Sequence, residues 1–585
     1  MCAECHATDL KKNYDATART YNTTWQRNDV GCQACHGPGS RHVEWARAAK
    51  GTYTAASVKA TFDVDLAAAD SKVQIESCAR CHSRRSVISD EYRYGQRLMD
   101  HYLPALLTDG LYYPDGQQLD EVYIYGSFIQ SRMHAKGVRC TDCHDPHSSK
   151  LKAQGNAVCT ACHNATEAAA GKHVDTSGLK KKDYDSAAHH FHKIGAAGAA
   201  CVDCHAPAKN YMVVDPRHDH SFRIPRPDLT AEISTPNACN GCHTKESAQW
   251  AVEAVTKWYG LGRRKESHYG QALAAGRQGK PGAAANLRAL IDGPAQPAIV
   301  RATAIELLQR YRGPEAGALI ARAVGDADPL VRRAAVAALI GFPQTERVRL
   351  AAPLLGDSVR AVRIESAHVL AAVPAQSLSE RQWAAFRSAL AEFEAMQRAN
   401  ADRPESWFAL GNIYAARGEP QKAEDAYRTA IALDDRFVPA YANLANQLRD
   451  RGNEAAVEST LREGIAATRN HAALEHALAL SLVRQGKKPA ALALLARAAA
   501  QAPSDIRIQY TYAVALHDAG KRGEAVKRLE ALAPRASGDR EVLLALAAFK
   551  REGGDVAGAE RYLKELAAIN PEDPVFTTRQ PETPR

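Results

Sequence analysis

From about Ala283 to the C-terminal end, apolar residues recur at the i, i+3, i+4, i+7 spacing of amphipathic helices, and two fixed periods organise them. The first period is 31 residues: Val300-Arg301 through Leu308, Val331-Arg332 through Leu339 and Val362-Arg363 through Leu370 superpose, and Gly325-Asp326 matches Gly356-Asp357. The second is 34 residues, marked by Gly418, Gly452, Gly486, Gly520 and Gly554. Within it Leu410, Leu444, Leu478, Tyr512 and Leu546 hold one core position, and Ala423, Val457, Ala491, Ala525 and Ala559 hold a small one. Both patterns predict stacked helix pairs, with the phased glycines supplying the turn between the helices of a pair. The front of the chain shows little such periodicity and many Gly, Pro, Asp and Tyr.

The 31-residue unit is HEAT-like, with Val and Leu inward and Arg at a fixed outer position, over 266–377. The 34-residue unit resembles the tetratricopeptide repeat (TPR) over 378–575, with Trp407, Tyr427 and Tyr441 at its aromatic positions. Such solenoids present concave surfaces to peptides or protein partners. The other expectation is that they cap and stiffen what precedes them. His368, His471, His476 and His517 sit in repeat helices as surface or packing residues, and 576–585 reads as a disordered tail.

Composition changes the picture only at the front. The chain has 585 residues, 45% hydrophobic and 24% charged, with no apolar run long enough to cross a membrane as a helix. Its 14 cysteines all lie between Cys2 and Cys242, in seven identical C-x-x-C-H units. These are Cys2/Cys5/His6, Cys32/Cys35/His36, Cys78/Cys81/His82, Cys140/Cys143/His144, Cys159/Cys162/His163, Cys201/Cys204/His205 and Cys239/Cys242/His243.

C-x-x-C-H is the attachment site of a c-type haem: two thiols form thioethers with the vinyl groups of a porphyrin, and the adjacent His ligates the iron from one face. A disulfide framework leaves the seven histidines unexplained. Zinc ribbons combine C-x-x-C pairs and need no following His, and a thioredoxin-like motif occurs once, beside a βαβ pattern. The reading is therefore seven covalent haems c, one per roughly 35 residues, forming the core of residues 1–265 in place of side chains. Each ferric haem adds a net −1, so the formal +9 falls to about +2 oxidised and about −5 reduced, which removes the argument for a nucleic-acid partner. Thioether attachment implies a periplasmic or otherwise exported protein. Because Met1-Cys2-Ala3-Glu4-Cys5-His6 has no signal-peptide pattern, the natural N-terminus with its signal peptide is expected to be missing.

Ten further histidines are available for the opposite face of seven irons: His42, His101, His134, His147, His173, His189, His190, His192, His218 and His220. The candidate distal ligands are His42, His101, His134, His147, His189, His192 and His220, with Met99, Met133 and Met212 as weaker ones. His147 is three residues beyond His144 and cannot reach the opposite face of the same ring, so it serves a neighbouring haem. His42, six beyond His36, follows the same logic, and His189 and His192 share one face of a short helix. Arg84, Arg85, Arg132, Arg139 and Arg217 are expected propionate partners or solvated surface arginines.

The segments Cys32–His42, Arg84-Arg85-Ser86, Glu121 through Phe128, Gly137 through His147, His189 through His192, Asp219 through Arg223 and Pro225 through Leu229 resemble the multihaem cytochromes c of the cytochrome c-552/4-like group fused to tetratricopeptide repeats. The resemblance implies an exported electron-transfer protein, distantly akin to pentahaem nitrite reductases and octahaem hydroxylamine oxidoreductases. Members usually carry a further haem segment upstream, and the C-x-x-C-K variant of many nitrite-reductase sites is absent from this sequence. The expected fold is mostly α: a haem-packed domain with little regular structure, then an α-solenoid. The preferred function is electron transfer along mostly bis-His haems, with redox proteins as partners and the solenoid for docking or assembly. The alternatives are a haem oxidoreductase acting on a small nitrogen or sulfur species through one open iron, and a scaffold whose haems are structural.

Overall fold

A computed structural model describes residues 2–48, 51, 54–67, 70–264, 266–536 and 538–577. The tail expected at 576–585 lies outside the described residues from 578 on.

The front of the chain consists of one-turn helices and hairpins. Most C-x-x-C-H units form a single helical turn, as in Cys2–His6, Gln33–His36, Cys140–Cys143, Cys201–His205 and Ala238–Cys242. The closing amides return to the first cysteine, with His36 N–H on Cys32 O at 2.9 Å and His243 N–H on Cys239 O at 2.8 Å. A turn at i, i+3 brings both thiols to one side. Four two-stranded antiparallel hairpins join these turns: Tyr14–Asp15 with Thr20–Tyr21, Arg85–Val87 with Tyr102–Pro104, His144–Asp145 with Lys150–Leu151, and Ala208–Tyr211 with Asp215–His218. Ala79, Leu98 and Tyr102 form a separate small apolar cluster here, while Leu107, Tyr112 and Val122 belong to the core of the helical repeats.

The rest of the chain is an α-solenoid, TPR-like in its C-terminal part. The 31-residue period falls on Ala298–Leu308, Pro329–Ala338 and Arg360–Leu370, where Val300, Val331 and Val362 are fully buried. The phased arginines are not left in solvent. Arg301 pairs with Asp326, Arg332 with Asp357 (2.8 Å) and Arg363 with Glu392 (2.6 Å), forming a ladder from one helix pair to the next. This explains why Gly-Asp recurs at the same period as Val-Arg. In the 34-residue section all five phased glycines have φ between 72° and 84°, the left-handed region that L side chains avoid. Each sits in a helix-ending turn closed by a following amide, such as Lys487 N–H on Leu482 O at 2.8 Å.

The solenoid closes on itself. Gly282 N–H donates to Ala568 O (2.9 Å), Asn570 Nδ2 to Arg312 O (2.6 Å), and Arg288 pairs with Glu572 (3.0 Å). One continuous apolar cluster therefore holds Leu287 and Leu308 together with Leu543 and Leu566. The front of the chain also docks on the repeats. Leu107 N–H reaches Thr303 Oγ1 (3.1 Å), Arg360 N–H reaches Asp100 Oδ1 (2.8 Å), and Lys12 pairs with Asp402 (2.5 Å). The sequence change near 265 is thus a change of architecture within one packed body.

A titratable helix cap lies at this junction. His268 Nδ1 accepts from Gly270 N–H (3.0 Å) at the start of Tyr269–Gln278, and burial followed by Arg223 and Arg226 pushes its pKa down to about 3. The folded state therefore holds this imidazole neutral, whereas the unfolded chain protonates it near 6.5. Its linkage term is absent above that value and erodes stability as pH falls from 6.5 toward 3. Denaturant unfolding at pH 7.5 and 5.0 is expected to show that loss, and His268→Asn, which keeps a cap, is expected to reduce it. An equal loss in the variant would assign the pH dependence elsewhere.

Candidate functional site

Four motif histidines each lie opposite a spare one at a nearly constant ring separation. His36 and His147 have ring centroids 6.2 Å apart at an interplanar angle of 4°, and His189 and His205 are 6.2 Å apart at 3°. His144 faces His220 at 6.3 Å and 23°, and His192 faces His243 at 6.2 Å and 41°. Two imidazoles that each place a ring nitrogen about 2 Å from one metal have centroids roughly 6.3 Å apart. Direct ring stacking would bring them closer, so these four pairs have the spacing of a ligand set with an ion between the rings.

Backbone carbonyls fix which nitrogen faces inward. His205 Nδ1 bonds Arg223 O (2.7 Å), His220 Nδ1 bonds His218 O (2.9 Å), and His192 Nδ1 bonds His190 O (2.6 Å). An Nδ1–H donated to a carbonyl fixes the tautomer whose Nε2 lone pair suits a metal. Burial lowers the pKa of His36, His144 and His220, which favours the neutral, ligating form.

Cysteines of different motifs lie beside one another. The Cys5 thiol lies 3.8 Å from Cys81 O, and its hydrogen bond to the Cys81 thiol brings Cys81 down to about 7 while raising Cys5. Cys78 and Cys140 share a similar bond that raises the first and lowers the second, as do Cys159 and Cys201. Burial, then Asp142 and the Cys162 thiol, raise Cys143, and burial with Cys239 pushes Cys204 up to about 11. Cys2 is described only in its backbone, while Cys32, Cys35 and Cys242 are exposed. Among the described residues no disulfide forms and no three His, Cys, Asp or Glu side chains converge as a bare ion site requires. That donor chemistry, paired thiols on one turn with imidazoles opposed across a gap, fits a porphyrin.

The remaining candidates are placed differently. His42 stacks on Phe62 at 4.4 Å and bonds Thr61 Oγ1 through Nδ1 (2.8 Å). His101 is buried, contacts Gln96 Oε1 through Nε2 (3.2 Å) and is pushed down to about 4, chiefly by burial. His134 packs edge-on against Phe128 at 5.7 Å. His173 bonds the Asp142 carboxylate at 3.0 Å. Among the described residues His6, His82 and His163 have no second imidazole stacked at ligand-pair distance; the ring of Tyr184 stands edge-on to His163 at 6.2 Å. Burial, then His144, Arg217 and His6, lower His82.

Arg217 pairs with Glu121 (2.7 Å) and Asp215 (2.6 Å) and covers the Tyr123 ring at 5.1 Å. Tyr123 has φ 60°, a strained value for a bulky residue. Arg85 pairs with Glu4 (3.0 Å), and Arg139 donates to Ser71 Oγ (3.2 Å). Sequence reasoning passed over Arg80, whose guanidinium lies over Tyr92 at 4.3 Å and reaches Ala34 O at 3.4 Å. Its position inside Cys78-Ala79-Arg80-Cys81 was the available signal.

Two family profiles match the chain. One, described as a doubled CXXCH motif, covers residues 133–168 and so spans the fourth and fifth units, a signature of haem attachment. The other, described as a tetratricopeptide repeat, covers 336–537 and points to protein interaction. No protein of curated function matches. Solved structures similar to the repeats include MamA from Desulfovibrio magneticus RS-1 (13% identity, 29% of this chain and 97% of that one, TM-score 0.24). Also similar are YrrB, a TPR protein with an unusual peptide-binding site (18%, 32% and 94%, 0.24), and PilW, a type IV pilus biogenesis factor (17%, 38% and 98%, 0.28). At these scores none carries an argument about this chain's activity. Among the described residues no helix is long and apolar enough to cross a membrane.

Proposed function

We propose that the protein is an exported multihaem c-type cytochrome that passes electrons along seven covalently held haems and uses its repeats for docking or assembly. The observation that carries this reading is the set of four opposed imidazole pairs at 6.2–6.3 Å. When bound, haem supplies a one-electron couple. His36, His144, His205 and His243 would hold haem iron together with His147, His220, His189 and His192 respectively.

The same residues support an order. Adjacent thiols link the first unit to the third, the third to the fourth, and the fourth through the fifth and sixth to the seventh. His147, three residues from His144, joins the second unit to the fourth as a branch, and Arg80 ties the second to the third. Intact mass of the exported protein is expected to show seven haems, and ferric electron paramagnetic resonance to show mostly low-spin centres. A bare polypeptide would end the proposal.

A second reading is favoured at His82, which lies near Arg217 and His6 in a region that also holds Tyr123, Arg84 and Glu121. Arg84 and Tyr123 would offer an anion a guanidinium and a nearby hydroxyl beside a haem held by His82. On that reading the protein is an oxidoreductase for a small nitrogen or sulfur species. A high-spin ferric signal abolished by nitrite or hydroxylamine would select it, and an all-low-spin spectrum indifferent to both would reject it.

A further inference from the structure

Just after the Ala208–Tyr211/Asp215–His218 hairpin, the turn 218–223 clasps the end of the sixth C-x-x-C-H unit. His218 Nδ1 bonds Ala206 O (2.6 Å), Asp219 N–H bonds Pro207 O (3.1 Å) and Arg223 N–H bonds His205 O (2.9 Å). The bond from His205 Nδ1 to Arg223 O (2.7 Å) closes the clasp, so His205 and Arg223 each donate to the other's carbonyl. Asp219 Oδ1 accepts from the Ser221 amide (2.9 Å) and hydroxyl (2.6 Å), and Phe222 has φ 48°, which winds the turn tightly. His220 sits in the middle of it, opposite His144 of the fourth unit at 6.3 Å. One turn thus touches two opposed imidazole pairs, His205–His189 and His144–His220.

The Arg223 side chain anchors that turn. Its guanidinium donates to Asp115 O, to Gln130 Oε1 (3.0 Å) and to the Tyr269 hydroxyl oxygen (3.3 Å), and Tyr269 donates in turn to Gln130 Oε1 (2.7 Å). The three acceptors come from segments distant in sequence, one of them the helix Tyr269–Gln278. Gly116, with φ 84°, leaves room for the cluster, since a Cβ there would collide with Gln130 Oε1 and lie 2.9 Å from Arg223 Nη2. Arg223 Nε is buried with no acceptor among the described residues. A cation taken out of water onto neutral acceptors, with one donor unmet, costs stability. The reach of its fork to three segments is what that cost secures.

We infer that Arg223 is a positioning residue for two haem sites: its anchored fork fixes the carbonyl that orients His205 and, through the turn, the ring of His220. The inference rests on the electron-transfer reading above. A carbonyl that accepts the Nδ1–H of a ligating imidazole sets the orientation of the ring and strengthens it as a ligand. Freeing the turn loosens both rings at once, which no residue bonded to only one of them would do.

The test compares the haem-loaded full chain with four variants, by low-temperature electron paramagnetic resonance of the ferric protein and by cyanide binding. Arg223→Gln is expected to shift the g-values of two low-spin centres, about two-sevenths of the integrated signal if all seven are loaded, with haem content by mass unchanged. Cyanide, which must displace an imidazole, is expected to bind those two centres about tenfold faster. Arg223→Lys keeps the charge and loses the fork, and is expected to shift the same two centres less. Tyr269→Phe removes one acceptor and keeps the ring, and is expected to do likewise. Arg226→Gln removes a nearby cation that pairs with Asp228 (2.7 Å) instead, and is expected to leave all seven signals in place. Unmoved signals and cyanide rates in Arg223→Gln and Tyr269→Phe would overturn the role of Arg223, even if thermal stability fell, because a purely structural anchor would do no more. Equal shifts in Arg226→Gln would overturn it too. Should Arg223→Gln fail to fold, Tyr269→Phe decides between the same outcomes. A wild-type chain that carries no haem after export would overturn the electron-transfer reading, and this assignment with it.

Discussion

Replacing His220 with alanine in the haem-loaded protein is expected to turn one low-spin centre high-spin, about a seventh of the integrated ferric signal if all seven are loaded. The His220 ring lies opposite His144 at 6.3 Å, and its Nδ1 is committed to His218 O at 2.9 Å, the tautomer that suits Nε2 to a metal. Burial lowers its pKa, which favours the neutral, ligating form. The variant retains His144 and both thioether positions, so haem content by mass is expected to be unchanged while the spin state is not. Cyanide or imidazole is expected to restore the low-spin signal. A variant that stays low-spin throughout would show that another side chain closes that face, and the pairing derived from ring geometry would be wrong.

Leu107→Ala is expected to destabilise the whole protein by about 2–5 kcal/mol. Leu107 is fully buried in the cluster that also holds Ile299 and Ile305, its amide donates to Thr303 Oγ1, and its carbonyl accepts from Arg277 (2.5 Å). The truncation opens a cavity where the front of the chain meets the helical repeats. Thr303→Val removes a buried acceptor from the Leu107 amide and is expected to cost about 1–3 kcal/mol. The check is denaturant unfolding followed both by haem absorbance and by far-ultraviolet dichroism. Because one apolar cluster spans both regions, the two probes are expected to move together. Separate transitions, with only the haem signal shifted, would mean that the regions unfold independently.

The sequence disclosed the repeats because every unit restates the same constraint. The 31- and 34-residue periods fall on helices with buried Val and Leu, and the phased glycines adopt the φ that their recurrence demanded. The C-x-x-C-H units were equally legible, since a five-residue motif carries its own signature, and the doubled CXXCH profile covers two of them. Distal partners were harder. His147 lies 111 residues from His36, and His220 lies 76 from His144, separations that no local pattern encodes. The expectation that His147 cannot cross its own ring named no partner. His101 had the right residue type and region, and its ring lies buried against Gln96. The arginines of the 31-residue unit were read as outward. In isolation a helix surface position looks solvated, and only the stacking of the next pair supplies Asp326, Asp357 or Glu392.

An ordinary superhelix of repeats tolerates copy-number drift, because a unit gained or lost at either tip merely lengthens or shortens it. Here the seam residues Gly282, Arg312 and Arg288 meet Ala568, Asn570 and Glu572 after a fixed number of helix pairs. Duplicating or deleting one 34-residue unit would carry the far end past or short of its landing place and strip those carbonyls and carboxylates of their mates. The circumference is thereby locked, and related chains with this seam should vary in loop length far more readily than in the tally of their repeats.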